Sequence, residues 1–359
     1  PNVGVLSRFD VSGSLLLNYG DVSGSAASTG SFGQIQLESE AGAGKKSAIF
    51  YNRFYIRASD TNPSVSSAYG GTSGNTFFGF EAGNQHVTNQ PQTGHSNTML
   101  GHYVANSLTS GDYNTGVGAE VNIGVLTGDG NTSIGAQAGR NITSGNYSTF
   151  IGHKAGFSNT TAGHNIAIGY QSMYSGVTTV TEAITIGRDA MYSNTDSSGN
   201  IAIGRYAMRQ GSGGSSRDYN VAIGFDAMRN ANPHVSIAIG YKAGNYLKNG
   251  ATGVVHIGHE AGNYASGSAN TFMGYQAGMG GTTSAPYSTG TNNTAIGYQA
   301  LQLFTTGNDN VAIGYQALRA NTTADYNIAI GTEAGKSLTS GARNIVMGRR
   351  AYKLATGGV

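Results

Sequence analysis

The stretch Asn310-Val-Ala-Ile-Gly314-Tyr-Gln-Ala317 decides the fold of this chain, because it returns at a regular spacing. Seventeen residues earlier the sequence reads Asn293-Thr-Ala-Ile-Gly297-Tyr-Gln-Ala300, and seventeen residues later it reads Asn327-Ile-Ala-Ile-Gly331-Thr-Glu-Ala334. Self-similarity at a short period is typical of repeat proteins, whose coils contact mainly their neighbours. The period therefore outweighs the length of 359 residues, which by itself would suggest several globular domains.

Each copy contains one glycine that directly follows an apolar residue, named here the anchor glycine. Most anchor glycines are 16 to 18 residues apart. At a strand spacing of roughly 4.8 Å, one coil per anchor would give a rod of about 75 Å. The sixteen anchors are Gly79, Gly101, Gly118, Gly135, Gly152, Gly169, Gly187, Gly204, Gly224, Gly240, Gly258, Gly274, Gly297, Gly314, Gly331 and Gly348.

The residues before each anchor predict a short strand. Ile328-Ala-Ile330 alternates with period two and is too short for a helix, so the two isoleucines should point one way and Ala329 the other. The glycine permits a sharp bend or a close approach of two backbones. Asn stands four residues before the anchor in 12 of 16 copies, which predicts a ladder of stacked amides between coils.

A second corner is predicted about ten residues after the anchor, where eight copies carry Ser or Thr followed by glycine. These glycines are Gly94, Gly111, Gly128, Gly145, Gly267, Gly290, Gly307 and Gly341. A weaker strand is expected between the corners, because several copies place an apolar residue at one shared offset. Those residues are Leu108, Val125, Ile142, Phe304 and Leu338.

A coil of this size encloses little volume by itself, and the small residues opposite the isoleucines suggest packing against another chain. The predicted fold class is therefore all-β: a parallel β-roll or β-helix solenoid of about sixteen short coils, intertwined as a homotrimer. Residues 1–33 are expected to form a Ser- and Gly-rich shaft or linker. Residues 34–70 are expected to form a small β meander, with strands at 34–37 and 49–57, and the joint into the repeats. Residues 71–359 are expected to form the repeat array.

Composition narrows the classes of function. Charged residues make up only 11% of the chain and the net charge is +2, so no basic stripe predicts nucleic-acid binding. No apolar run approaches the roughly 18 residues of a membrane helix, so membrane insertion is not expected. Cysteine is absent, which excludes disulfides and cysteine-ligated metals. We expect no cofactor and no metal centre.

The repeats resemble two known families. Ser236-Ile-Ala-Ile-Gly240-Tyr-Lys-Ala243 resembles the head repeat of trimeric autotransporter adhesins, the YadA-like left-handed parallel β-roll. Asn131-Thr-Ser-Ile-Gly135-Ala-Gln-Ala-Gly139 is more similar to repeats of phage tail fibres, and Ser28-Thr-Gly-Ser-Phe-Gly33 looks like a fibre shaft. The resemblance covers about residues 75–352 and implies the β-roll fold and a trimer. A heptad stalk is absent from the sequence, which favours the tail fibre.

The position after the anchor glycine is the first candidate binding surface, because it repeatedly holds an aromatic residue or arginine. Such a file could stack on sugar rings or contact a receptor. The alternative is that the rings stack coil on coil and only stabilise the flank. The residues are Phe80, His102, His153, Tyr170, Arg188, Arg205, Phe225, Tyr241, His259, Tyr275, Tyr298 and Tyr315.

Three longer connections, at 84–96, 209–219 and 279–292, are the second candidate surface. Insertions in repeat proteins become protruding loops that often bind, although drift in solvent loops is the alternative. The residues singled out there are Gln85, His86, Arg217, Asp218, Tyr287 and Thr289.

Signals for metal binding or catalysis are weaker. His256 and His259 are three apart, but on a strand followed by a bend their rings should diverge, leaving only an ion site on a three-fold axis open. The carboxylate pairs Glu38/Glu40 and Glu81/Glu120 could serve glycan hydrolysis, yet one pair shares a strand and the other occupies a scaffold position. Met173, Met191, Met208 and Met228 share one offset and are interpreted as core filling.

The function expected from these observations is that of a non-enzymatic structural and attachment fibre at a virion surface, such as a phage tail fibre. Its expected partners are two further copies, other tail proteins, and a glycan or protein receptor on the host. A bacterial surface adhesin or secreted filament subunit is the alternative. A capsule polysaccharide depolymerase is a further alternative, from the class of enzymes.

Overall fold

The computed structural model describes residues 47–50, 54–57, 74–79, 81–83, 93–122, 124, 126–175, 180–193, 198–210, 218–231, 233–247, 250–281 and 287–352. Within these ranges all regular structure is β and no helix is present. The repeat array forms a parallel β-solenoid with one three-residue strand in each coil, which confirms the predicted fold class. The handedness and the trimer stay predictions.

The first two strands, β1 (Ser47–Phe50) and β2 (Phe54–Arg57), form an antiparallel hairpin. The other sixteen form one parallel sheet in strict sequence order. They are β3 (Thr76–Phe78), β4 (Thr98–Leu100), β5 (Thr115–Val117), β6 (Thr132–Ile134), β7 (Thr149–Ile151), β8 (Ile166–Ile168), β9 (Ile184–Ile186), β10 (Ile201–Ile203), β11 (Val221–Ile223), β12 (Ile237–Ile239), β13 (Val255–Ile257), β14 (Thr271–Met273), β15 (Thr294–Ile296), β16 (Val311–Ile313), β17 (Ile328–Ile330) and β18 (Ile345–Met347).

The strands stay in register because every insertion lies in the connections. Ala312 of β16 pairs with Ala329 of β17, and Ala295 of β15 pairs with Ala312, so equivalent residues stack directly. The same register holds across the connection of 23 residues between the anchors Gly274 and Gly297. Side chains at one repeat position therefore form files along the solenoid axis.

The anchor glycine is required by both conformation and space. The sixteen anchors have φ between +110° and +139°, which residues with a β-carbon rarely adopt. A β-carbon placed on Gly314 would lie 2.7 Å from the carbonyl oxygen of Gly331 in the next coil. The backbones thus stack directly at this corner, as the sequence predicted. At the second corner a β-carbon on Gly307 would lie 2.6 Å from the carbonyl oxygen of Ala324.

Three further positions in every coil have a left-handed backbone. They lie five residues before, two residues after and four residues after the anchor, as at Glu182, Asp189 and Met191 around Gly187. The N–H of Asp189 donates backward to Tyr170 O at 2.9 Å, whereas that of Met191 donates forward to Ala207 O at 3.0 Å. These hydrogen bonds give backbone N–H groups partners in both the preceding and the following coil. They offset the roughly 1 kcal/mol cost of each left-handed residue.

The predicted amide ladder is present. Asn310 Oδ1 accepts from the backbone N of Asn327 at 3.0 Å, and Asn310 Nδ2 donates to Ala324 O at 2.8 Å. Asn310 is buried, and its two hydrogen bonds tie the strand side of its coil to the second corner of the next. Where serine replaces asparagine, Ser148 Oγ still accepts from Asn165 N, at 3.2 Å.

The core contains one strand residue per coil, the middle one. Ala329 is fully buried, whereas Ile328 and Ile330 are each 36% exposed on the outside of the sheet. The interpretation that the small residues pack against another chain was therefore wrong. The small strand residues face the coil interior. They are small because the coil has room for only one inward strand side chain and one residue from the opposite wall, such as Leu318.

Two other expectations need correction. The single aromatic strand expected at 49–57 is two antiparallel strands, because Phe50 pairs with Phe54 and Ile49 pairs with Tyr55. The weaker second strand is reduced to isolated parallel bridges, such as Leu108 with Leu126. Its apolar residues Ile142 and Phe304 fill the core instead. The strand expected at 34–37 and the residue Val125 lie outside the described residues.

Candidate functional site

The residues that follow the anchor glycines form a continuous surface file, named here the flank file. Each is held between an anchor with φ near +130° and a left-handed residue, as Tyr298 is between Gly297 and Gln299. This backbone turns the side chain outward, and the five tyrosines singled out from the sequence are 39–46% exposed: Tyr170, Tyr241, Tyr275, Tyr298 and Tyr315.

Six consecutive members of the flank file are stacked rings. Tyr275 and Tyr298 have centroids 5.0 Å apart and planes 7° apart, and Tyr298 and Tyr315 are at 5.2 Å and 10°. Phe225, Tyr241 and His259 continue the stack toward the amino-terminal end, with separations of 4.8 to 5.5 Å. The interval equals the rise of the coil, so the stacking follows from the register of the strands.

This stacking limits what the flank file can bind. Both faces of Tyr298 are covered by neighbouring rings, so its exposed area is the edge that carries the hydroxyl. A sugar ring needs a free aromatic face. Such a face is offered at the end of the file, where Tyr315 is followed by the smaller Thr332. The rings stack coil on coil along most of the file, as the alternative interpretation of the sequence described, and binding by the five tyrosines stays a prediction.

Arginines replace rings in the middle of the flank file. The Arg188 guanidinium lies 5.6 Å from the centroid of Tyr170, and that of Arg205 lies 5.6 Å from Phe225. His153 stacks on the other side of Tyr170 at 5.3 Å. Phe80, the first residue of the predicted file, lies outside the described residues.

A second file of rings was missed from the sequence. Phe157, Tyr174 and Tyr192, each five residues after an anchor, stack at 5.1 and 4.9 Å. Arg140 and Arg209 extend the file at its two ends, 5.6 Å from Phe157 and 5.3 Å from Tyr192. The shared offset was visible in the repeat alignment and could have predicted the file.

The residues singled out in the three longer connections have different positions in the structure. Gln85, His86 and Arg217 lie outside the described residues, so their role stays a prediction. Asp218 is engaged in the fold, because its Oδ1 accepts from Ser198 N at 2.7 Å. Thr289 is exposed, although its backbone N is bonded to Thr305 O at 2.7 Å.

Tyr287 belongs to a ring cluster. It lies 4.6 Å from Tyr246 and 6.1 Å from Tyr264, centroid to centroid, which ties the third insertion to the two preceding coils. Partial burial raises the pKa of the Tyr287 hydroxyl above its ordinary value.

The two histidines of the His256–His259 pair diverge. His256 is fully buried inside the coil and stacks on Phe272 at 4.8 Å, whereas His259 belongs to the outward flank file. Neither ring nitrogen of His256 has a hydrogen-bond partner among the described residues, and burial lowers its pKa to about 3. In the described part of the chain no three His, Asp or Glu side chains are grouped to hold a metal ion.

Of the proposed carboxylate pairs, only Glu81 and Glu120 lie in the described part of the chain. Glu120 accepts from Gln137 Nε2 at 2.8 Å and from Arg140 Nε at 3.2 Å. These contacts, the Gln137 hydrogen bond first, lower the pKa of Glu120, so it lacks the raised pKa of a general acid. Glu81 lies two coils away in sequence, and Glu38 and Glu40 lie outside the described residues.

The outside of the parallel sheet is an apolar surface. The first and third residues of each strand form two parallel files on the outside of the sheet, named here the sheet face. Between β8 and β17 these residues are mostly Ile or Val, and Ile166, Ile237, Ile296 and Ile330 are each 36–38% exposed. At the last strand Ile345 and Met347 are 73% and 65% exposed. An apolar surface of this length is a candidate contact surface.

Among the described residues, no helix is long and apolar enough to cross a membrane. The candidate surfaces of the chain are therefore a stacked aromatic flank, an arginine-rich stretch within it, and an apolar sheet face. Comparison of the chain with protein-family models, with curated proteins and with solved structures found no match.

Proposed function

We propose that the chain is the structural and attachment fibre of a virion, of the phage tail fibre type, and that it works as a homotrimer. The observation that carries the proposal is the sheet face: two files of Ile and Val side chains along a rigid parallel β-solenoid. An isolated chain would leave this surface in water, at a cost of about 25 cal/mol for each Å² of apolar area.

Copies of the same chain are the occupants that fit this face best. Chains related by rotation about an axis parallel to the solenoid place equal strands at equal heights, so the Ile-rich rungs of β8 to β13 meet Ile-rich rungs. Such a contact repeats with the same period on both partners. The number three comes from the resemblance to trimeric β-rolls and tail fibres.

A bundle of this kind suits attachment. Backbone hydrogen bonds between coils run along the whole array, which gives a stiff rod able to hold a binding surface away from a particle. Three chains present each flank residue three times, so weak contacts with a host glycan or protein receptor add up through avidity. We place the protein at the virion surface, joined to other tail proteins.

The same properties would serve a bacterial surface adhesin or an extracellular filament subunit. Neighbouring genes for tail proteins would support the virion, and a secretion signal on the full-length gene product would support the adhesin. A capsule depolymerase would shorten host polysaccharide on incubation, and a fibre that only attaches would leave the polymer length unchanged.

The sheet face is tested by introducing charge at its centre. Ile203 and Ile223 are equivalent residues on adjacent strands, and the double variant Ile203→Asp/Ile223→Asp places two carboxylates inside the proposed interface. We expect the assembly to dissociate while the coils keep their β signal in circular dichroism. Val235→Asp is the control, because Val235 is 53% exposed but lies outside the sheet face. An unchanged native mass for the double variant would disprove the interface.

A further inference from the structure

In the described part of the chain a cluster of arginines surrounds one tyrosine. Tyr206 lies in the coil anchored by Gly204, and three guanidinium groups surround its ring. The carbon atoms of these groups lie 4.5 Å (Arg205), 5.2 Å (Arg209) and 4.9 Å (Arg229) from the ring centroid. Arg205 Nη2 also donates to the Tyr206 hydroxyl at 2.9 Å. These residues form a cluster contributed by two adjacent coils.

Two buried carboxylates lie in the coils on either side of Tyr206. Asp189 and Asp226 occupy the equivalent position to Tyr206 in the preceding and following coils, and their side chains are 7% and 5% exposed. Each contacts one arginine at 3.4 Å: Arg188 Nε with Asp189 Oδ2, and Arg229 Nη1 with Asp226 Oδ1. Four arginines thus share two buried carboxylates, in a chain whose total net charge is only +2.

Hydrogen-bonding capacity is left over in the cluster. Arg209 Nε and Arg229 Nε are buried and have no hydrogen-bond partner among the described residues, and the same holds for the acceptors Asp189 Oδ1 and Asp226 Oδ1. An external ligand therefore reaches only the exposed ends of the guanidinium groups. Three guanidiniums gathered on one ring repel one another, and the electron-rich ring face offsets only part of that repulsion. An anion with several oxygen atoms would accept hydrogen bonds from the exposed guanidinium edges and remove the repulsion.

The rings also hold the arginines in place. Arg188 lies 5.6 Å from the centroid of Tyr170, Arg205 is shared between Tyr206 and Phe225, and Arg209 is shared between Tyr206 and Tyr192. Side chains fixed in this way lose less conformational freedom when a ligand binds, so more of the interaction energy contributes to affinity. The hydrogen bond from Arg205 lowers the pKa of Tyr206, as expected for a phenol among cations.

We propose that this arginine–tyrosine cluster is the receptor-binding site for the carboxylate or sulfate groups of an acidic polysaccharide. A polysaccharide fits better than a nucleic acid, because the cluster is confined to about three coils, whereas a nucleic-acid backbone requires a longer row of basic residues. Tyrosine edges beside the arginines can bond sugar hydroxyls. The inference rests on the proposed attachment role and names the class of its receptor.

Binding is tested on the full chain by calorimetric titration with three polymers. Polygalacturonate supplies carboxylates, dextran sulfate supplies sulfate esters, and neutral dextran is the uncharged control. We expect at least one acidic polymer to bind, with affinity that falls as salt rises, and neutral dextran not to bind. Equal binding of neutral dextran, equally tight binding of single-stranded DNA, or failure of both acidic polymers to bind would overturn the proposal.

The site is located with matched variants. Arg205→Gln/Arg229→Gln removes two guanidiniums from the cluster and should weaken binding by about tenfold or more. Arg319→Gln/Arg343→Gln removes two charges from other coils and should leave the affinity within about twofold of the unmodified chain. Arg205 is exposed, so the single Arg205→Gln variant serves if the double variant misfolds. Equal losses in the two double variants would contradict a localised site.

The native mass of each sample separates this inference from the proposed function. If the chain assembles as a trimer and binds no acidic polymer, the cluster is not a receptor site, and the proposal of a trimeric fibre still stands. A monomer that binds the acidic polymer through the cluster keeps the site and disproves the trimeric fibre.

Discussion

Phe272 lies with its ring against the α-carbon of Gly278, so that a β-carbon at position 278 would overlap the ring. The two positions face each other across the coil, and their sizes are matched in other coils. Phe150 is opposite Gly156 and His256 is opposite Gly262. In several coils where the strand residue is small, the opposite position holds a large one, as in the pair Ala312 and Leu318, both fully buried. In two other coils both positions are small, because Ala238 faces Gly244 and Ala329 faces Gly335.

This size matching predicts the outcome of a double-mutant cycle. Gly278→Met should destabilise the fold by more than about 3 kcal/mol through overpacking, and Phe272→Ala should cost about 3–5 kcal/mol through a cavity. The double variant recreates the Ala/Met combination of Ala167 and Met173, so it should recover a large part of both losses. Denaturant unfolding measures the coupling, and strictly additive losses would show that the two positions do not share a space.

A second prediction concerns acid stability. His256 is buried neutral with a pKa of about 3, against about 6.5 when unfolded, so the folded state binds fewer protons than the unfolded state. The stability that neutral His256 contributes to the fold is fully present above pH 6.5. As the pH falls from 6.5 toward 3, the free energy of unfolding decreases by about 1.4 kcal/mol per pH unit. Thermal unfolding between pH 8 and pH 4 should show this loss.

The matched control for acid stability is His256→Phe, which places at this position the residue that occurs at the equivalent Phe272. This variant should lose the His256-dependent part of the pH slope while keeping the stacked core. Equal slopes for the variant and the unmodified chain between pH 6.5 and pH 4 would mean that His256 is not buried as described.

A third prediction separates backbone strain from steric overlap at glycine. Gly314→Ala forces φ +127° on alanine and drives the β-carbon to 2.7 Å from Gly331 O, so it should cost more than about 3 kcal/mol. Gly253→Ala also places alanine at a positive φ, +65°, but nothing lies within 4 Å of its β-carbon. It should cost only about 1 kcal/mol, as read from chemical denaturation. Similar losses for the two variants would argue against stacked backbones at the anchors.

A fourth prediction concerns the amide ladder. Asn310→Ala leaves the buried N–H of Asn327 and the carbonyl of Ala324 without their side-chain partners, which should cost about 2–4 kcal/mol. Asn310→Ser keeps one acceptor, as Ser148 does, and should cost less. Hydrogen exchange at Asn327 should rise strongly in the alanine variant. Unchanged protection there would show that the ladder does not stabilise the coil.

Much of the coil could be predicted from the sequence, because the repeat multiplies every weak signal. The strand at Ile328–Ile330, the anchor at Gly331 and the amide at Asn327 each recur at fixed offsets. What one sequence period could not show was which face of the strand lies inside. Ala329 is buried and the isoleucines are exposed, because the width of the coil decides this and width is a property of the closed structure.

The candidate site was predicted less completely. All members of the flank file lie one residue after an anchor glycine, so the sequence identified them. Whether their rings stack depends on the strand register and on the side-chain conformations together. The cluster around Tyr206 combines residues one, two and five positions after two different anchors, so no single offset marks it. Such a site becomes visible only when neighbouring coils are placed side by side.

The native mass of the full chain in solution tests the central claim most directly. The exposed sheet face and the proposed fibre predict a trimer of three times 36.8 kDa, about 110 kDa. Light scattering or native mass spectrometry at low micromolar concentration distinguishes this from the single chain. A stable, soluble monomer of 36.8 kDa would contradict the proposal that the sheet face is covered by copies of the same chain.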